Sequence, residues 1–155
     1  PGTNYFADPS SRQCETACTN TSYFADPSSN KCVLTCPASQ SLFGDPSDYV
    51  CKTACTNSLF ADNSTRLCVS DCPVETNTFG YTTDWKCVAT CPSTWFSYNI
   101  TQRCTQNCPT PYFADPNRKQ CVLECDILFA DPYTRTCVSS CASSATHPLA
   151  DNSTN

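Results

Sequence analysis

The sequence predicts an all-β, small disulfide-rich fold, a tandem array of short β-hairpin modules forming a solenoid-like rod. Two observations lead there. First, a template of Phe, seven residues, Cys, three residues and Cys recurs without insertion. Its Phe residues are Phe6, Phe24, Phe43, Phe60, Phe79, Phe96, Phe113 and Phe129. The first cysteines are Cys14, Cys32, Cys51, Cys68, Cys87, Cys104, Cys121 and Cys137, and the second are Cys18, Cys36, Cys55, Cys72, Cys91, Cys108, Cys125 and Cys141. Second, 16 of 155 residues are cysteine, Met is absent and aliphatic residues are sparse, so covalent staples must replace a continuous core.

The repeat has a period of about 17 residues, and all length variation lies between the second cysteine and the next Phe. This divides the chain into repeats at 1–18, 19–36, 37–55, 56–72, 73–91, 92–108, 109–125 and 126–141, with 142–155 opening a ninth. Within each repeat an apolar pair such as Tyr5-Phe6 or Leu42-Phe43 begins a short strand. In six copies Ala-Asp or Gly-Asp follows Phe, and in five of those Pro comes next. Asp bonds to N–H groups ahead of it and Pro pre-sets φ, which predicts a type I turn. The chain then returns through a second strand carrying the first cysteine, often with Val beside it. Copies five and six place Tyr81 and Tyr98 where Asp otherwise stands. Drift in a repeat that protects only Phe and Cys accounts for them.

Counting does not assign sixteen cysteines. Pairing within one C-x3-C closes a ring too small for good disulfide geometry. Pairing the second cysteine of one unit with the first of the next gives Cys18–Cys32, Cys36–Cys51, Cys55–Cys68, Cys72–Cys87, Cys91–Cys104, Cys108–Cys121 and Cys125–Cys137. Each such closure removes about 3 kcal/mol of unfolded-state entropy in the simplest model. Cys14 and Cys141 are left for neighbouring chains or a continuing array.

Such cysteine density needs an oxidising compartment, so the chain is expected to be extracellular, secreted or on a cell surface, with its targeting segment elsewhere. Four sequons are candidate N-glycosylation sites, at Asn20, Asn63, Asn99 and Asn152. The net charge of −5 is scattered, which argues against nucleic acid and anionic membrane as partners. No apolar run is long enough to span a bilayer.

The string C-V-x-x-C-P, followed by Y-F-A-D and another C-x3-C, resembles the furin-like repeats of growth-factor-receptor-type cysteine-rich domains. Across residues 5 to 141 it is also similar in style to tandem repeats of protist surface proteins, ciliates among them. In the single-disulfide modules of the receptor family the second cysteine of one C-x3-C bonds the first of the next, the same register. The double-disulfide modules that receptors interleave are missing. The resemblance thus implies a module type more than a receptor role.

No enzyme is expected, and no cofactor or metal. His147, the only histidine, lies beside Pro148 in a Ser/Thr-rich tail, with no scaffold for nucleophilic catalysis. Zinc sites built from four cysteines lack helping histidines, and one Asp per copy falls short of a calcium site. Asp45 and Asp48 have nothing apolar placed around them to raise a pKa, so they make no acid/base pair. The expected function is structural: a segment of a secreted, glycosylated filament, flagellar-hair-like fibre or surface coat, about 80 Å long, with other copies of itself as partner. The alternative is a receptor or adhesin ectodomain with a binding patch at residues 79–98, which hold Trp85 and Trp95. A disulfide-rich inhibitor or toxin is usually shorter and less repetitive.

Overall fold

The computed structural model describes residues 4–141. Within them, sixteen three-residue strands form eight antiparallel hairpins. The first four are β1 (Phe6–Asp8) with β2 (Gln13–Glu15), β3 (Phe24–Asp26) with β4 (Lys31–Val33), β5 (Phe43–Asp45) with β6 (Val50–Lys52), and β7 (Phe60–Asp62) with β8 (Leu67–Val69). The next four are β9 (Phe79–Tyr81) with β10 (Lys86–Val88), β11 (Phe96–Tyr98) with β12 (Arg103–Thr105), β13 (Phe113–Asp115) with β14 (Gln120–Val122), and β15 (Phe129–Asp131) with β16 (Thr136–Val138). The register is the same throughout: in the first hairpin Phe6 faces Glu15, Ala7 faces Cys14 and Asp8 faces Gln13.

Successive hairpins join side by side. The first strand of each pairs in parallel with the second strand of the next through a single residue pair, Ala7 with Lys31, Ala25 with Val50, and so on to Ala114 with Thr136. All eight therefore belong to one narrow sheet whose outermost strands are β2 and β15. At ordinary strand spacing the ladder is roughly 70 Å long.

The described residues share no common interior. Each small core lies between two hairpins and draws on the same three parts: the Phe of one unit, the disulfide to the next, and the small residue that follows Phe in the next. Phe6 packs with Ala25 and Cys32, Phe43 with Ala61 and Cys68, and Phe60 with Cys72 and Cys87. Phe60 is fully buried. Burying one such ring contributes about 2–3 kcal/mol, enough for a joint and far short of a domain.

The hairpin loops differ from the simple turn expected. Five of them close through an N–H to C=O bond over four residues, such as Arg12 to Asp8 and Arg66 to Asp62 at 2.8 and 3.0 Å, rather than over three. The last loop residue adopts positive φ in all eight copies: Arg12, Asn30, Tyr49, Arg66, Trp85, Gln102, Lys119 and Arg135. Glycine avoids the penalty of about 1 kcal/mol that an L side chain meets there, yet none of the three glycines is used. The side chain explains the choice, because it lies over the Phe of the preceding unit. Arg66 stacks 4.3 Å from the Phe43 ring centre, Arg135 stacks 4.9 Å from Phe113, and Trp85 tilts against Phe60 at 5.2 Å. Arg66 also donates to the Leu42 carbonyl at 2.5 Å, and the loop residue's own C=O accepts from the preceding hairpin, as Trp85 does from Ala61 N–H at 2.8 Å. One strained residue thus binds two hairpins with backbone and side chain together.

The residue after Phe is matched to this lid. Where the lid is aromatic, Tyr49 or Trp85, the same unit has Gly44 or Gly80; where it is polar, Ala or Ser stands there. A Cβ on Gly80 would lie 2.8 Å from Phe60 Cζ, and one on Gly44 2.8 Å from three atoms of the Phe24 ring. Gly80→Ala is therefore expected to destabilise the joint by about 1–3 kcal/mol through overpacking. Trp85→Arg in the same chain recreates the Ala61/Arg66 arrangement and should recover most of that loss. Denaturant melts of the double-mutant cycle check this, and strictly additive effects would contradict it.

Candidate functional site: the repeated joint and the open ends

The functional element legible in this structure is the joint itself, made seven times. Cys18–Cys32, Cys36–Cys51, Cys55–Cys68, Cys72–Cys87, Cys91–Cys104, Cys108–Cys121 and Cys125–Cys137 are disulfide-bonded, with Cα–Cα separations of 5.5–5.8 Å. Each bridge ties the end of one hairpin to the returning strand of the next. It also serves as one wall of the Phe pocket, so the covalent and the apolar halves of the joint coincide.

The Asp at the end of each first strand is more than a turn former. Asp8, Asp26, Asp45, Asp62 and Asp115 are all at most 3% exposed. One carboxylate oxygen accepts from the N–H two residues on, as Asp26 does from Ser28 at 2.9 Å and Asp62 from Ser64 at 3.1 Å. The other oxygen is satisfied in one of two ways. Where Thr follows the second cysteine, it reaches back: Thr19 bonds Asp8 through N–H and hydroxyl, both at 2.7 Å, and Thr56 bonds Asp45 in the same manner. Where Pro follows instead and offers no N–H, loop hydroxyls take over, Ser29 for Asp26 and Ser64 and Thr65 for Asp62. Asp115 is met by Arg118, which also pairs with Asp126 after Cys125.

In copies five and six the structure corrects the reading of drift. Tyr81 meets the connector residue Trp95 edge-on, with ring centres 5.2 Å apart, and Tyr98 meets Tyr112 at 5.1 Å. An aromatic pair fastens the strand end to the connector where a bonded carboxylate does so elsewhere. Trp85 and Trp95 are thus both engaged inside the ladder, although Trp85 keeps 36% of its surface exposed.

Asp45 and Asp48 need a second correction. Asp45 is not open to solvent but fully buried, and Lys52 bridges it to Asp48 at 3.1 and 2.7 Å. Burial pushes its carboxyl up, but the Ser47 and Thr56 hydroxyls, the Ser47 N–H and the Lys52 ammonium outweigh that and hold it well below the usual carboxylate range. The balance is the same at Asp26, through Ser29 and Ser28, and at Asp62, through Thr65 and Ser64. At Asp8 the Thr19 hydroxyl and N–H lead, and the pKa falls to about 2. A carboxyl with a folded pKa below its unfolded one stabilises above the unfolded value and loses that contribution as pH falls through the folded one. Stability is therefore expected to be level in these groups above about pH 5 and to drop between about pH 4 and pH 2. Thermal melts across that range read it. A midpoint unchanged down to pH 2 would contradict the role given to these carboxylates.

Of the other residues singled out from sequence, Asn152 and His147 lie outside the described residues. Asn20, Asn63 and Asn99 are exposed. Asn20 Oδ1 accepts from Ser22 N–H at 2.9 Å, and Asn63 Oδ1 from Arg66 at 3.3 Å. Cys14 is free and exposed on edge strand β2, and Cys141 is free and half-buried. Sequence reasoning missed the lid residues and the Thr latches. The signals were present: a non-glycine residue, long in all copies but the second, six places after every Phe, and either Thr or Pro after most of the second cysteines. Among the described residues no cluster of His, Cys, Asp and Glu has the make-up of a metal site, and no helix is long and apolar enough to cross a membrane.

No family model, no curated protein and no solved structure matches the chain.

Proposed function

We propose that this chain is a load-bearing segment of a secreted, glycosylated extracellular filament, flagellar-hair-like fibre or cell-surface coat, with module chemistry resembling that of furin-like repeats. The observation that carries the reading is the sameness of the seven joints. Each has one disulfide, one Phe pocket and one inter-hairpin backbone bond, and tension along the ladder meets a covalent link at every step. Seven disulfides belong to an oxidising compartment.

The ends support assembly with more of the same. At one, Phe129 is 37% exposed and Cys141 is free; at the other, Cys14 is free and Ala7 is exposed, whereas Ala25, Ala61 and Ala114 are 3–4% exposed. These are the two halves of the internal joint. The end faces therefore accept a second copy or a further run of the repeat, by continuity with the interface already formed seven times. Purified chain is expected to give disulfide-linked multimers on non-reducing gels, and Cys14→Ser to leave monomer and dimer only. Monomer with a Cys14–Cys141 bond would overturn end-to-end joining.

The ectodomain reading places ligand recognition at residues 79–98. It draws on the exposed part of Trp85. Alanine at Trp85 and Trp95 separates the two: weakened joints and lost assembly support the structural role, and lost cell or ligand binding with the ladder intact supports recognition.

A further inference from the structure

We propose that Asn99 is an N-glycosylation site, with its first sugars lying along the polar cleft at the tip of the sixth hairpin. This rests on the extracellular reading above and goes beyond it in choosing among the sequons by what their residues do in the fold.

The hydroxyls of this repeat have structural work. In the fourth hairpin Ser64 and Thr65, the two residues after Asn63, both hold the buried Asp62 carboxylate, at 2.7 and 2.6 Å. That sequon is accounted for by carboxylate bonding alone. Asn20 shapes its connector through the bond from Ser22 N–H. The sixth hairpin is different. Tyr98 replaces Asp, so no carboxylate awaits a hydroxyl, yet Asn99-Ile100-Thr101 keeps the full acceptor pattern. All three residues are exposed, Ile100 by 69%. Among the described residues, neither the Asn99 carboxamide nor the Thr101 hydroxyl has a hydrogen-bond partner; only the Asn99 backbone carbonyl does, from Gln102.

Space and chemistry agree. Asn99 stands at the rim of a cleft lined also by Asn77, Ser97, Arg118, Lys119 and Gln120. Such a surface offers donors and acceptors to sugar hydroxyls and demands no burial of the carboxamide. Asn99 also occupies the loop position held by Pro in five other copies, at the hairpin tip. A glycan there points away from the disulfide joints and leaves neighbouring hairpins free to pack.

The modification transfers an oligosaccharide from a lipid-diphosphate donor. The Asn99 side-chain nitrogen forms a bond to sugar C1, the C1–oxygen bond to the diphosphate breaks, and the diphosphate leaves with the electron pair. The amide gives up one proton to solvent.

The test is expression of the whole chain through a eukaryotic secretory pathway, followed by glycopeptide mass spectrometry. The expected result is a hexosamine-bearing glycan on the peptide containing Asn99. Asn99→Gln and Thr101→Ala should each remove one glycan from the intact mass and leave the melting midpoint unchanged, while Thr101→Ser keeps it. Secreted, fully disulfide-bonded chain with unmodified Asn99 would overturn the proposal and leave the extracellular reading standing. Chain recovered with free thiols throughout would overturn that reading and this proposal with it.

Discussion

Alanine at Phe60 is expected to lower the stability of the joint between the fourth and fifth hairpins by about 3–5 kcal/mol, the range for deleting a fully buried Phe. Its ring has no exposed surface and meets the Cys72–Cys87 bridge and the Trp85 lid, with Gly80 beneath. Little can collapse into the space, because the lid is held by its own backbone bond to Ala61 and Gly80 has no side chain. The effect should also be local. In a ladder whose units touch only their neighbours, stability is a sum of unit and joint contributions. Amide exchange is expected to speed up at Ala61 and Gly80 and to stay nearly unchanged at Ala7 and Ala114. Equal acceleration at all four would mean a single cooperative core and contradict the account.

The second large effect belongs to the sulfur half of the same joint. Replacing Cys72 and Cys87 together by serine removes a bridge of sequence separation 15 and costs about 3 kcal/mol in the chain-entropy model. The Phe60 pocket loses one wall in the same stroke, so the total exceeds the entropic part. The connector between Pro73 and Thr78 should become the preferred site of proteolytic cleavage, giving two fragments that each keep three intact bridges. Resistance equal to that of the unmodified chain would show that packing alone closes the joint. Against the same change at Cys125 and Cys137, where Phe129 is already exposed, the middle of the ladder should lose more.

The repeat, the hairpins and the all-β class were legible because Phe and Cys alone report them: the spacing from Phe to the cysteines is fixed by three-residue strands joined through a four-residue loop. The strand order follows once each connector must return the chain to the flank of the hairpin before it. What stayed hidden depends on residues whose identity varies while their position does not. Arg66, Trp85 and Lys119 share little chemically, yet each is long enough to reach the preceding Phe from a left-handed backbone. Asp45 looked solvated because its neighbours in sequence are polar; those same neighbours, folded back, bury it and satisfy it. Tyr81 and Tyr98 looked like decay because their partners, Trp95 and Tyr112, lie 14 residues further on in unrelated connectors.

The central claim is that bridged joints, with no shared interior, give the molecule its length. Small-angle X-ray scattering of the same sample before and after reduction tests it. Oxidised chain should show a radius of gyration of about 20–25 Å, above the roughly 15 Å of a compact domain of this size, and reduced chain should expand toward about 40 Å. A radius that stays the same when every bridge is cut would contradict it.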